Sequence, residues 1–259
     1  MNTRPALQSL ANIRIVLVRT SHPGNIGAAA RAMKTMGLTH LVLVAPEKFP
    51  DPVADARATG ALDVLSGAKV CATLEDALAG TVHAVALSAR RRELSHGVRD
   101  ARDAAIALVS IAATGEVALV FGAELAGLSN AEAGLCQEFV TIPTNPDYSS
   151  LNLGSAVQVM AYEILMAALE SAALESAASD RETATDPAAE KGREPARFED
   201  IENLFRHLED TMTGTGFLDP NLPKRLMPRL RRLFARARLE KEEVNILRGF
   251  LRSVDELKK

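Results

Sequence analysis

Residues 142–157, IPTNPDYSSLNLGSAV, run a proline-punctuated polar loop straight into an apolar helix. Pro143 and Pro146 restrict the backbone, Asn145 and Asp147 favour turns, and Ser149 or Ser150 is expected to cap a helix starting near Leu151. Asn152 is the odd residue, because an amide between Leu151 and Leu153 in the first turn of an apolar helix needs a partner to offset its desolvation. Alone, the stretch reads as an ordinary capped helix. Other residues add chemistry. Arg31 lies among Ala28, Ala29, Ala30 and Ala32, small neighbours that let a helix pack closely and leave a guanidinium to hold a phosphate in bidentate fashion. The same arginine can instead face solvent while its stem covers apolar surface. Arg90, Arg91 and Arg92 follow Ser88 as a positive triplet, either solvated or part of a ligand edge. Residues 122–128, GAELAGL, supply Gly122 and Gly127 where backbone approaches a ligand closely, and Glu124, which either caps the next segment or orients an arginine.

These residues need elements to position them, and the pattern supplies a parallel sheet. Residues 13–18 (IRIVLV), 40–45 (HLVLVA), 68–72, 82–89 (VHAVALSA), 117–121 (VALVF) and 139–142 read as strands. Helices are expected over 26–36, opened by Asn25 or a neighbour, then over 51–65, from Thr73 to Gly80, and over 100–113 and 129–136. Strands alternating with helices make an α/β fold, a parallel sheet flanked by helices. Ligands in such sheets bind beyond the carboxyl ends of the strands. That rule selects residues 19–25, 88–92, 122–128 and 142–150, four loops able to converge on one crevice.

Beyond the helix that begins at Leu151, residues 175–195 lose their bulky apolar side chains and read as a solvated linker, giving domains at 1–170 and 197–259 with a linker over 171–196. Ile201, Leu204, Phe205 and Leu208 then mark one helical face, and a last helix runs over 241–257. Between them Lys224, Arg225, Arg229, Arg231, Arg232, Arg236 and Arg238 form a basic run without an intervening acid. This is either a solvated amphipathic face or a salt-sensitive contact to a nucleic-acid backbone, with Arg229, Arg232 and Arg236 as the binding candidates beside Arg90 and Arg92. The formal net charge of −3 hides that local patch. Cys71 and Cys136 lie far apart in apolar runs, as in a reducing compartment. The scattered histidines offer no zinc spacing, so no metal is expected. No apolar run is expected to approach the ~20 residues of a membrane span, so the chain reads as cytoplasmic.

The first turn, HPGNIGAAAR, has Gly24 and Gly27 but not the G-x-G-x-x-G of a dinucleotide site, and no acidic ribose ligand follows the second strand. Instead NIGAAARAMKTMG, ALVFGAELAGLSN and IPTNPDYSSLNLGSAVQVMAYEI resemble, in order and spacing, the three signature motifs of the SPOUT superfamily, SpoU (TrmH-like) branch, of S-adenosylmethionine-dependent RNA 2'-O-ribose methyltransferases. TSHPGN, LSARRR and the helical C-terminal extension are most similar to the bacterial TrmJ group, which methylates the ribose at position 32 of the tRNA anticodon loop. The resemblance implies a C-terminal trefoil knot, which pattern reasoning would not propose. It further implies S-adenosylmethionine held by Leu87, Ser88, Ala89, Gly122, Glu124, Gly127, Ile142, Ser149 and Leu151. It places Asn25, Ser149, Ser150 and Asn152 on the acceptor side, and Arg31 reaching the donor site of the other chain of a homodimer. Asn25, Arg31, Ser150 and Asn152 are thus the catalytic candidates. Related enzymes often carry a basic residue after the second-motif glutamate, where this chain has Leu125. Alternatives are an enzyme of the same chemistry acting on rRNA, and a knotted RNA-binding protein without catalysis.

Overall fold

The computed structural model describes residues 10–88, 98–179 and 194–257. Seven strands form one parallel sheet: β1 (Ile13–Val18), β2 (His40–Val44), β3 (Lys69–Cys71), β4 (His83–Leu87), β5 (Val98–Asp100), β6 (Val117–Phe121) and β7 (Glu138–Thr141). Their order is β3-β2-β1-β6-β4-β7-β5, and every pairing is parallel. The continuous apolar runs follow from burial on both faces. Ile13, Ile15 and Leu17 of β1 enter one core with Leu41, Leu43, Leu119 and Phe121, whereas Val16 and Val18 enter the other with Val42, Val44, Ala84 and Val120.

The first face is covered by α1 (Pro23–Thr35), α2 (Pro52–Ala58), α3 (Leu62–Ser66), α5 (Ala101–Ala112) and α7 (Leu153–Ser179), the second by α4 (Leu74–Leu78) and α6 (Asn130–Gly134). Two helix starts and one helix interior differ from expectation. α1 begins at Pro23 rather than near Asn25, because His22 Nδ1 accepts from the Gly24 amide at 3.0 Å and proline suits the first helical position. The single helix expected over 51–65 is broken by a 3-10 turn at Thr59–Ala61. α7 starts at Leu153, and its cap is Asn152, not Ser149 or Ser150: Asn152 Oδ1 accepts from the amides of Gly154 (3.0 Å) and Ser155 (3.4 Å).

α7 also overturns two expectations. It continues to Ser179, past the start of the expected linker. Leu153–Ser176 is moreover long and apolar enough to cross a membrane by length and composition, contrary to the reading that no run approaches a span. Its stripe Val157, Met160, Ala161, Ile164 and Ala168 is instead buried against α1, α5 and the sheet, so it is a core helix. The edge strand β5 was not anticipated.

The C-terminal unit contains α8 (Phe198–Gly214), α9 (Leu226–Ala237) and α10 (Lys241–Glu256). α8 and α10 share a small core of Leu204, Val244 and Leu251, to which Ala196 belongs. Residues 194–196, expected as linker, are held here: Ala196 N–H donates to Leu239 O at 3.0 Å and Lys241 N–H to Glu194 O at 2.9 Å. Phe198, at the start of α8, buries its ring in the second core of the sheet.

Candidate active site

The four loops selected from the sequence follow β1, β4, β6 and β7, which are consecutive neighbours across the middle of the sheet. Three of them are tied by one hydrogen-bond relay. Glu124, in the loop after β6, accepts from Ser21 N–H and Oγ (both 3.0 Å), from His22 N–H (3.3 Å) and from Asn25 Nδ2 (2.8 Å), all in the β1 loop and the first turn of α1. Asn25 Oδ1 accepts from Asn152 Nδ2 at 2.9 Å, and Asn152 Oδ1 is spent on the α7 cap. The orientation of both amides follows from this order. An ionised carboxylate only accepts, so Asn25 must offer it the NH2 group and turn its oxygen to Asn152, which must answer with its own NH2. Glu124 therefore neither caps a helix nor orients an arginine, and the unexplained amide of Asn152 has its partner 127 positions away. Burial would raise the Glu124 pKa, but hydrogen bonds from the Ser21 and His22 backbone and from Asn25 outweigh it and hold it at about 2.

A second tie joins the same loops. Arg19 takes a left-handed backbone (φ 49°) and pairs with Glu132 of α6, its second terminal nitrogen lying 3.0 Å from Glu132 Oε2 and 3.5 Å from Gly127 O. Glu132 also closes a capping box with Ser129. Burial works against ionisation of Glu132, and Arg19 and Ser129 together lower its pKa. Sequence reasoning missed Arg19, Ser21 and Glu132, although the Ser129-x-x-Glu132 spacing is a visible capping-box signal.

The glycines act through space. A Cβ on Gly122 would meet the Gly127 carbonyl carbon and Leu128 nitrogen at 2.3 Å, and Gly127 sits at φ +66°, so the loop after β6 folds tightly on itself. Leu87, Ser88, Gly122 and Ile142 all lie partly buried at the carboxyl edge of adjacent strands, and the Ser88 amide donates to Val140 O at 3.0 Å. Ser149 and Ser150 are exposed, as are Leu151 and Tyr148, and Thr144 Oγ1 donates to Ser149 O at 3.3 Å. Leu125 is 96% exposed, so it contributes nothing to the core.

Arg31 is exposed on α1, and among the described residues no hydrogen bond or ion pair ties its guanidinium to the loops of its own chain. Ala89, Arg90, Arg91 and Arg92 lie outside the described residues. The basic run divides: Arg231 pairs bidentately with Glu202 and stacks 4.4 Å over Phe205, and Arg238 reaches Glu138 at 3.4 Å, whereas Arg229, Arg232 and Arg236 carry no such pair among the described residues. Cys71 and Cys136 are free and buried, and burial pushes the Cys136 thiol up to about 12, which excludes it as a nucleophile.

The SpoU rRNA Methylase family matches residues 12–162, and the tRNA methyltransferase TrmJ C-terminal domain matches residues 199–259. A Klebsiella pneumoniae protein named tRNA (cytidine/uridine-2'-O-)-methyltransferase TrmJ is 48% identical over 250 residues, 96% of this chain and 99% of that one. A Pseudomonas aeruginosa protein named tRNA (cytidine/uridine/adenosine-2'-O-)-methyltransferase TrmJ is 49% identical over 243 residues, 93% of each. Among solved structures, TrmJ from Z. mobilis ZM4 matches with a TM-score of 0.76 and 33% identity, covering 93% of this chain and 98% of that one.

Proposed function

We propose that this chain, which belongs to the SpoU rRNA Methylase family, transfers a methyl group from S-adenosylmethionine to a ribose 2'-oxygen of tRNA, at nucleotide 32 of the anticodon loop and on cytidine or uridine. The observation that carries this reading is the Glu124–Asn25–Asn152 relay, which locks three crevice loops at the positions of the family's three motifs.

The edge of β4, β6 and β7 fits the donor. The loop after β6 is folded too tightly to admit a side chain at Gly122, which leaves backbone to face a ligand, while Leu87, Ile142 and Leu151 offer apolar surface. Leu87, Ser88, Gly122, Gly127, Ile142 and Leu151 would hold it, with the exposed Ser149 beside them. When bound, the donor supplies a methyl group already activated on a sulfonium, so the residues of this chain mainly position the acceptor. Asn25 and Asn152 are fixed by the relay. Ser150 lies on the same loop as Asn152, free to meet the ribose. Glu124 acts as a positioning residue: with four hydrogen bonds and a pKa of about 2 it has little basicity left to take the 2'-hydroxyl proton. Arg31 orients the phosphate next to the target ribose.

Among the described residues the Arg31 guanidinium makes no hydrogen bond or ion pair to the loops of its own chain, which supports a homodimer in which it serves the partner's crevice. Exposed Ile106, Tyr162 and Leu174 on α5 and α7 provide apolar surface for such pairing. The position of β7 between β4 and β5, which are consecutive in the chain, supports the threaded, knotted path. The reading implies a cytoplasmic enzyme acting where tRNA matures.

The test is methyl incorporation from radiolabelled S-adenosylmethionine into total tRNA and rRNA, followed by mapping of the modified nucleotide. Label in tRNA at nucleotide 32 is the expected result. Label confined to rRNA would replace the substrate, and donor binding without label in either RNA would remove the catalytic reading.

A further inference from the structure

The sheet domain and the C-terminal helices enclose a cleft of about 1010 Å³, lined by Val82, His83 and Gln137 at the amino ends of β4 and β7 and by Arg231, Phe234 and Arg238 of the helical unit. Its charges balance, Arg225, Arg231 and Arg238 against Glu75, Glu202 and Glu240, so the cleft itself selects no ionic ligand. The contact across its edge is more specific. Glu138, the first residue of β7, has a side chain only 16% exposed and faces basic groups from three other elements: His83 of β4 at 3.5 Å, Arg99 of β5 at 3.0 Å and Arg238 at 3.4 Å.

Arg238 occupies the C-cap of α9 with a left-handed backbone (φ 52°), a place where glycine is the usual residue. Glycine would relieve the backbone but could not reach Glu138. Close by, where Ala196 N–H donates to Leu239 O, Phe198 N–H donates to Thr81 O at 2.8 Å, Gly80 N–H donates to Glu199 at 3.0 Å, and the Phe198 ring is buried in the sheet's core. The helical unit is thus anchored at Phe198 and latched at Arg238.

We propose that Glu138 is a positioning residue for the tRNA reaction: by holding Arg238 it fixes the angle at which Arg229, Arg232 and Arg236 of α9 meet an RNA whose target ribose lies in the crevice. This rests on the tRNA reading above. The three arginines follow i, i+3, i+7 spacing and form one stripe along α9, so a rotation of the unit moves all of them together.

Glu138→Gln is the discriminating variant. Removing a negative charge strengthens RNA binding if the carboxylate acts only through its field, but weakens it if the carboxylate holds the unit in place. The expected result is a KM for full-length tRNA raised about three- to fivefold, the scale of a part-exposed ion pair, with kcat and the calorimetric Kd for S-adenosylmethionine as in the parent. Arg238→Ala raises KM likewise, Arg238→Lys recovers most of it, and the double variant is no worse than either single one. A KM that is unchanged or lowered in Glu138→Gln, or effects that add in the double variant, overturn the proposal. Glu138→Gln also strips a partner from His83 and Arg99; if it does not fold, equal KM values for Arg238→Ala and Arg238→Lys overturn it instead. Small-angle X-ray scattering without RNA separates the two readings. A larger radius of gyration in Arg238→Ala supports the latch even if the parent methylates no tRNA, which would sink the function alone; unchanged scattering overturns the latch.

Discussion

Glu124 does at the residue scale what its neighbours cannot, because it accepts four hydrogen bonds and donates none. A glutamine there would set an NH2 group against at least one of the Ser21, His22 and Asn25 donors. Glu124→Gln is therefore expected to cost about 1–2 kcal/mol at pH 7, below the full worth of charged hydrogen bonds because the site is partly exposed, and to lower methyl transfer further by releasing Asn25 and Asn152. The pH dependence has a definite sign. A carboxyl held at about 2 in the folded chain and near 4.5 when unfolded contributes its full stability above 4.5 and loses it as pH falls toward 2. Urea unfolding at pH 7 and pH 3 should thus show the gap between parent and variant shrinking at the lower pH; an equal gap at both would remove the charge from the explanation. Leu125 gives the opposite kind of test. It is almost fully exposed beside the relay, so Leu125→Arg should leave the melting temperature unchanged while lowering the KM for tRNA, checked by steady-state kinetics. The sequence showed that Asn152 needed a partner but not which one. Residues 25 and 152 meet only because the parallel sheet turns the carboxyl ends of β1 and β7 to the same side, a fact of topology rather than of local pattern.

At the scale of elements, the same relay depends on how closely α7 approaches α1. Gly154 faces Ala28, and an added Cβ would lie 2.7 Å from the Ala28 Cβ. Gly154→Ala must therefore push the first turn of α7 outward, carrying Asn152 away from Asn25. A loss of about 1–3 kcal/mol from overpacking is expected, with activity falling along with it. Ala28→Gly placed on top should restore activity more than stability, since it reopens the contact but adds a helical glycine costing about 1 kcal/mol. Thermal melts and turnover of the two variants check this, and an Ala28→Gly change that rescues neither would place the damage elsewhere. Elements of this kind were legible where burial is continuous. The central strands announce themselves as apolar runs because both faces of the sheet are covered there, whereas β3 was read although Lys69 and Val70 are exposed. β5 was not, since Val98, Arg99 and Asp100 carry no pattern and are held by pairing with β7 and by the Arg99 pair with Glu138. Helix entrances were legible to the residue at Asp51, Thr73, Asp100 and Ser129, which cap as their types suggest, but not at the crevice, where His22 and Asn152 cap in place of Asn25 and the two serines.

The whole molecule puts two electrostatic populations on one basic run. Seven cations between residues 224 and 238 look equivalent in the sequence, yet Arg231 and Arg238 are taken by Glu202 and Glu138, and their partners come from α8 and β7, remote in sequence. Removing residues 198–259 would not isolate an RNA-binding function, because the deletion would also strip Phe198 from the core of the sheet and leave Thr81 O without its donor. Neutralising the exposed stripe avoids that damage. Arg229→Ala, Arg232→Ala and Arg236→Ala together should leave the fold and the affinity for S-adenosylmethionine intact. If each arginine neutralises one phosphate, the plot of log binding constant for tRNA against log salt should become shallower by about 2–3 units, since each released contact contributes roughly 0.7–0.9. Filter binding from low to physiological salt measures the slope directly. The same substitutions should weaken binding to all tRNA sequences alike, because phosphate contacts position the RNA whereas the choice of nucleotide belongs to the crevice. A slope equal to that of the parent would return α9 to the status of a solvated amphipathic face and shift the search for the RNA path to the edge of the crevice around Leu125 and Tyr148.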